Sequence, residues 1–215
     1  MPLAIFDLDN TLIDRSASVR RWAAEFVERH RLDPGEAAWL IEADGDGFVP
    51  RPSFLGSVRE RYGLDQPLPG LLADYRERIV ALIDLDPAVP DALRRLRGQG
   101  WRIAIATNGT TDQQLAKIHR VGLGDHVDAV AVSEEVGAAK PDRRVFEVAA
   151  QRCGARLADG GWMVGDCPLR DIAGGRAAGL ATVWLHRGRA WDESAPSPDA
   201  VVDDVAGSVA VMSAA

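Results

Sequence analysis

Cysteine is almost absent: Cys153 and Cys167 are the only two among 215 residues. One lies in a helical pattern and the other follows an apolar run, so a disulfide-stapled secreted scaffold is excluded and both are read as free thiols in a reducing compartment. No apolar stretch approaches the ~20 residues that a helix needs to cross a bilayer. The start of the chain lacks a basic segment followed by a long apolar one, so no secretory leader is predicted and a cytoplasmic location is expected. Lysine and arginine form no dense cluster and the formal charge is −7, which argues against a nucleic-acid polymer as partner. Histidine is sparse. His30, His119, His126 and His186 show no metal-ligand spacing, although His186 and Arg187 follow a strand and are candidates to border a site. There is no internal repeat, and Ala173-Gly174-Gly175-Arg176-Ala177-Ala178-Gly179 lacks the dinucleotide pattern and reads as close helix packing.

A hydrophobic content of 47% and a charged content of 27% are those of an ordinary globular protein. The length suffices for one substantial core, or one core with a small accessory unit. Strand-like segments are predicted at Leu3–Asp9, Arg102–Thr107, Asp128–Ser133, Gly161–Gly165, Ala181–Leu185 and Ala200–Val202. Amphipathic helical patterns lie between them at Pro87–Arg97, Thr111–Val121, Pro141–Arg152 and Pro168–Ala178, with Pro87, Pro141 and Pro168 read as first helical residues. Such alternation predicts an α/β fold, a Rossmann-like parallel sheet with helices on both faces. Ligands bind such sheets beyond the carboxyl ends of the strands, where Asp7, Asp9, Thr107 and Asp166 fall.

From about Ser16 to Ile83 the alternation stops. Four helices are predicted there, at Ser16–His30, Gly35–Glu42, Ser53–Tyr62 and Leu71–Ile83. Trp22, Phe26 and Leu32 form one apolar face, and Tyr75, Ile79 and Leu82 form another. The expected organisation is a core of residues 1–15 and 84–215 with a helical insertion of residues 16–83.

Asp7 and Asp9 stand one residue apart at the end of the first apolar run, so strand alternation would put both carboxylates on one side. Two negative charges that close repel strongly unless a cation neutralises them. Mg²⁺, which prefers hard oxygen ligands and often combines carboxylates with a substrate phosphate, suits that position.

Asp7-Leu8-Asp9-Asn10-Thr11 resembles the first motif of the haloacid dehalogenase-like hydrolases. Thr107-Asn108-Gly109 is similar to their second motif, Lys140-Pro141-Asp142 to the third, and Gly165-Asp166-Cys167-Pro168-Leu169-Arg170-Asp171 to the fourth, in the family's order. The resemblance spans essentially the whole chain and implies a helical cap inserted after the first motif. By resemblance Asp7 is a nucleophile that forms an aspartyl-phosphate and Asp9 a general acid/base. Thr107 and Asn108 donate to the phosphoryl oxygens, and Lys140 supplies positive charge. Mg²⁺ is held by Asp7, the backbone carbonyl of Asp9 and Asp166, with Asp171 in the outer shell. The implied activity is Mg²⁺-dependent hydrolysis of a small phosphate monoester, by a monomer or homodimer without membrane or nucleic-acid partners.

Residues 107–114 and 133–141 look most like the 5′-nucleotidase and phosphoglycolate phosphatase branch, especially the pyrimidine nucleotidases. That points to a nucleoside monophosphate as the first candidate substrate. A sugar phosphatase or phosphomutase would use the same motifs, and a phosphate-binding pseudoenzyme would be expected to have lost Asp7, Asp9 or Asp166. A dehalogenase needs no acid at the second position and typically has Tyr where Asp9 stands. Cys167 replaces a frequent Ser, placing a thiol where oxidation sensitivity is expected.

Within the insertion, Glu42 to Val49 resembles the start of a calcium loop, with Glu42 where Asp is expected at the first place. Ser53 at the twelfth place lacks the bidentate Glu, and Pro50 and Pro52 disfavour a helix immediately after. Phe48, Arg51 and Phe54 are candidates to contact substrate, Arg51 by pairing with an anionic group.

Overall fold

The computed structural model describes residues 1–214. Its sheet has six strands: β1 (Leu3–Phe6), β2 (Arg102–Thr107), β3 (Ala129–Val132), β4 (Trp162–Gly165), β5 (Ala181–Leu185) and β6 (Ala200–Val202). All pairs are parallel, in the order β3-β2-β1-β4-β5-β6. The chain works outward from β1 to β3, then returns to β4 on the other side of β1. The carboxyl end of β1 is therefore the topological switch point, where such sheets open a crevice.

The strands are short and nearly continuously apolar because both faces are covered. Leu3, Ile5, Ala104 and Ala106 join Val145, Phe146 and Ala149 of the helix Arg143–Arg152 in one buried cluster. Alternate residues Ala4, Phe6, Ile103 and Ile105 are buried as well; by strand alternation they face the opposite side. Two further helices, Ala88–Gly98 and Val205–Ala214, pack on each other and against strands.

Two details differ from the sequence reading. The first strand stops at Phe6 rather than Asp9. Asp7 still donates its N–H to the Val164 carbonyl at 2.9 Å, but Leu8's carbonyl then takes N–H groups from Thr11, Leu12 and Ile13, and Asn10 sits at φ +60°. Strand alternation therefore ends before Asp9, and the two carboxylates do not share a strand face. Two of the helical prolines also shift role: Pro87 precedes its helix, and Asp142 rather than Pro141 caps the next one by accepting from Arg144 N–H, whereas Pro168 is the first residue of a widened helical segment, Pro168–Ala173, that runs into Gly174–Ala177. The glycines after it do serve close packing: a methyl on Gly175 would lie 2.8 Å from Met163 Cβ.

The chain forms two compact units, Met1–Ile13 with the chain from Leu85 onward, and Asp14–Asp84. The second contains α1 (Arg15–His30), α2 (Glu36–Asp44), α3 (Arg51–Tyr62) and α4 (Leu68–Ala81). Its core gathers Trp22, Phe26, Phe54, Leu55, Tyr75 and Ile79. Trp22 meets Tyr75 edge-on with ring centres 4.9 Å apart, an arrangement aromatic quadrupoles favour.

The segment resembling a calcium loop is a polar staple of this unit. Both Asp44 oxygens are taken by Arg15 at 2.9 and 2.7 Å, Tyr75 donates to Asp44 at 3.0 Å, and Arg51 pairs with the same carboxylate. Burial works against charge on Asp44, but the hydrogen bonds and charges of Arg15 and Arg51 prevail and its pKa is lowered. A carboxylate neutralised by two guanidinium groups is not free for calcium. Arg51 also donates to the Asp44 and Val49 carbonyls, and Phe54 is core. Of the three residues expected to contact substrate, only Phe48, 49% exposed, is a surface side chain. Pro50 and Pro52 do not delay α3, since Pro52 is tolerated in its first turn, where the missing N–H has no helical acceptor.

Candidate active site

Strands β1 and β4 deliver two carboxylates to the switch point, Asp7 after β1 and Asp166 after β4. Asp171 follows from the turn begun at Pro168. Oxygens of the three lie within 4.8 Å of one another, and all three residues are buried. Gly165 makes the approach possible, because a methyl there would collide with the Asp171 carboxyl. Cys167 N–H donates to Asp171 at 2.9 Å and fixes it from the chain side.

Lys140 enters this cluster from the loop after β3. Its Nζ donates to Asp7 Oδ1 at 2.6 Å and Asp171 Oδ1 at 2.7 Å. The peptide between Lys140 and Pro141 is cis. Burial alone would strip the proton from Lys140, but Asp171 and Asp7 outweigh it and hold the amine charged. Asp7 goes the other way. Burial, with Asp171 and Asp166 adding repulsion, overcomes the pull of Lys140 and pushes its pKa up to about 8. The Lys140 ammonium, with the Arg189 guanidinium 2.9 Å from Asp166, thus faces three carboxylates, and the fully ionised cluster keeps a negative surplus. The donor set is all oxygen and crowded, which fits a hard divalent cation. Asp171 stands in this cluster as closely as Asp7 and Asp166 do, so the geometry does not separate it as an outer residue.

Asp9 is not part of that cluster. Its side chain is held by the helix Thr111–Arg120: Lys117 Nζ reaches its two oxygens at 2.8 and 2.7 Å, and Gln114 Nε2 donates at 3.1 Å. Gln114 also donates to Thr107 Oγ1 at 2.6 Å. Each motif aspartate has its own lysine partner, Asp7 with Lys140 and Asp9 with Lys117. Thr107 stays at the end of β2 beside this network. Asn108 does something the resemblance does not imply: its side chain binds the backbone of Lys140, accepting at 2.8 Å and donating at 3.0 Å.

Behind the crevice, the loop after β5 reaches the same region. Arg189 donates to the Asp166 carbonyl at 2.7 Å and carboxylate at 2.9 Å, Trp184 donates to that carbonyl at 2.9 Å, and Arg187 donates to the Asn10 carbonyl at 3.0 Å. Arg187 thus borders the site, whereas His186 turns its ring to Asp203 at 2.5 Å. The Cys167 thiol is buried and accepts from Arg170 N–H at 3.5 Å, and burial with the nearby Asp171 raises its pKa. Both cysteines are free. No helix among the described residues is long and apolar enough to cross a membrane.

Lys117 and Arg189 are not marked by the sequence, and Gln114 is marked only as part of the stretch 107–114, without a role. Gln114 and Lys117 are three residues apart on one helical face, a pattern identical to that of an ordinary solvated face. Arg189 lies in a loop without periodicity.

Comparison with known proteins agrees with this geometry. Residues 1–179 match the family model of the haloacid dehalogenase-like hydrolases. The pyrimidine 5′-nucleotidase YjjG of Escherichia coli is 41% identical over 100 residues, 46% of this chain and 44% of that protein. The chain spans about half the length of this relative and of one other strong curated match. Coverage is longer with the ribulose-1,5-bisphosphate 5-phosphatase of Halopiger xanaduensis, 34% identical over 83% of this chain and 82% of that one. A phosphatase structure from Thermococcus onnurineus, 22% identical, superposes over 99% of this chain and 98% of its own with a TM-score of 0.67, which establishes the common fold. With four ordered motifs converging on one crevice, the chain belongs to the haloacid dehalogenase-like hydrolase family.

Proposed function

We propose that this chain is a Mg²⁺-dependent phosphomonoesterase that acts on a small phosphorylated metabolite through an aspartyl-phosphate on Asp7. The observation that carries this reading is the pairing of two separately held aspartates at the switch point. Asp7 lies against Lys140 in the three-carboxylate cluster, and Asp9 lies against Lys117 outside it. The reading assigns attack to Asp7 and proton transfer to Asp9.

In the first half-reaction an Asp7 oxygen bonds to phosphorus while the ester P–O bond breaks. The departing oxygen takes the bond's electrons and a proton from Asp9. In the second, water gives a proton to Asp9 as its oxygen attacks phosphorus, releasing phosphate and restoring Asp7. Splitting the reaction in this way exchanges one difficult displacement for two easier ones, and a positioned acid contributes ~10²–10⁴-fold. Lys140 neutralises charge on Asp7 and the phosphoryl oxygens, and Thr107 binds one of those oxygens through its hydroxyl. Mg²⁺ held by Asp7, Asp166 and Asp171, with the Asp9 carbonyl as the resemblance implies, would neutralise the charge surplus of the cluster. Asn108, by contrast, works through Lys140.

Asp9 disfavours the dehalogenase alternative, and the unit Asp14–Asp84 is assigned the cap's part, selecting the substrate. Nucleoside monophosphates and sugar phosphates are the two classes to test, since relatives named for each match the chain. The test is turnover of p-nitrophenyl phosphate and a panel of both classes, with and without Mg²⁺. Metal-dependent release of phosphate supports the reading, and absence of turnover with every divalent metal tried refutes it.

A further inference from the structure

Lys117 and Gln114 lie on consecutive turns of the helix Thr111–Arg120 and face inward. Lys117 is buried, a costly place for an ammonium unless it is well partnered. Its partner is Asp9, whose side chain is 22% exposed against 5% for that of Lys117. The carboxylate is thus the more exposed of the two, and the lysine backs it from within. A surface salt bridge between two solvated side chains would show neither feature.

Gln114 adds a second constraint. A carboxylate only accepts hydrogen bonds, so the amide nitrogen of Gln114 must face Asp9 Oδ2. The same nitrogen donates to Thr107 Oγ1 at 2.6 Å. With that hydroxyl oxygen accepting from Gln114, its own hydrogen is left to donate elsewhere. The amide is wedged in place by Gly109, at φ +153°, where a methyl would stand 3.0 Å from Gln114 Cγ and Cδ. Neither residue belongs to the four motifs.

We propose that Lys117 and Gln114 are positioning residues that aim the Asp9 carboxyl group at the leaving oxygen and then at the attacking water. The inference rests on the phosphatase reading above. Lys117 Nζ meets both Asp9 oxygens, at 2.8 and 2.7 Å, and so fixes the plane of the carboxyl group. The lysine moves no proton itself; it removes the torsional freedom that would let Asp9 swing away, and orientation of this kind is a large part of what a positioned group contributes.

The test compares kcat/KM for two esters in Mg²⁺. p-Nitrophenyl phosphate has a leaving group that needs little protonation, whereas the alkoxide of glycerol 2-phosphate needs a full proton. Lys117→Met is expected to lower kcat/KM for glycerol 2-phosphate by about 100-fold and for p-nitrophenyl phosphate by less than about 3-fold. Phospho-enzyme should accumulate with the latter, because hydrolysis also needs Asp9 in place. Lys117→Arg should recover most of the loss. Equal losses on both esters, or none on either, would overturn the assignment, since a purely structural lysine does not discriminate leaving groups. Should Lys117→Met fail to fold, Lys117→Gln keeps a donor and is read by the same comparison. An inactive wild type refutes the phosphatase reading and this inference with it; an active wild type with non-selective variants refutes the positioning role alone.

Discussion

Asn108 clasps Lys140 at both ends of one residue, accepting from its N–H at 2.8 Å and donating to its carbonyl at 3.0 Å. The second motif thereby sets the position of the third, and the Lys140 ammonium depends on a side chain 32 residues earlier. Asn108→Ala is expected to cost about 1–2 kcal/mol from the two hydrogen bonds and to lower kcat at least ~10-fold with KM changed less. Denaturant unfolding and steady-state kinetics measure the two effects. Loss of stability with intact kcat would show that Lys140 finds its place unaided.

Asp7→Asn separates chemistry from stability. The amide cannot attack phosphorus, so turnover should vanish. In the metal-free protein the folded pKa of about 8 exceeds the unfolded value of 3.8. The folded chain therefore holds this proton more tightly, and stability from this group is lost as pH rises from about 4 through 8. Asp7→Asn should lack that decline, so in EDTA its advantage over wild type should grow between pH 5 and pH 8. Mg²⁺ should stabilise wild type more at pH 8 than at pH 5, since cation and proton compete for the same oxygens. Parallel profiles for the two proteins would contradict the raised pKa.

Asp44→Ala is expected to be among the most damaging changes in the unit Asp14–Asp84, because it leaves the buried Arg15 without its bidentate partner. Breaking a buried pair in this way costs about 3–5 kcal/mol. Arg51→Ala, which leaves Arg15 and Asp44 paired, should cost less and leave KM for p-nitrophenyl phosphate unchanged. Calcium should stabilise neither wild type nor variant in thermal melts. A calcium-dependent rise in melting temperature that disappears with Asp44 would restore the calcium-loop reading.

Gly165→Ala tests whether the cluster tolerates displacement. The added methyl would meet Asp171, which Cys167 N–H and Lys140 hold in place. Overpacking of this sort costs about 1–3 kcal/mol, and the Mg²⁺ Kd measured by calorimetry should rise at least ~10-fold. An unchanged Kd would place Asp171 outside the metal's reach.

Much of this was legible in the sequence because apolar patterning and strand ends carry strong local signals. β2, β5 and β6 match their predicted bounds, and Asp7, Thr107 and Asp166 fall at carboxyl ends as parallel topology requires. What was not legible depends on long-range partners. Lys117 sits 108 residues from Asp9 on a helix whose buried polar face looks like a wet one. Arg51 looked like a solvent-facing recognition residue, and only the fold brings Asp44 and Tyr75 to it. The placing of the Asp7 and Asp9 side chains on one face was inferred from strand alternation, which ends at Phe6.

The central claim is that Asp7 becomes phosphorylated during Mg²⁺-dependent ester hydrolysis. The most direct measurement is to quench the wild-type enzyme during turnover of p-nitrophenyl phosphate, reduce the acyl-phosphate with borohydride, and locate the reduced residue by peptide mass spectrometry. The proposed chemistry predicts modification at position 7 alone, dependent on Mg²⁺ and more abundant in Asp9→Asn. Turnover with no modification at Asp7, or modification mapped to Asp9, Asp166 or Asp171 instead, would contradict it.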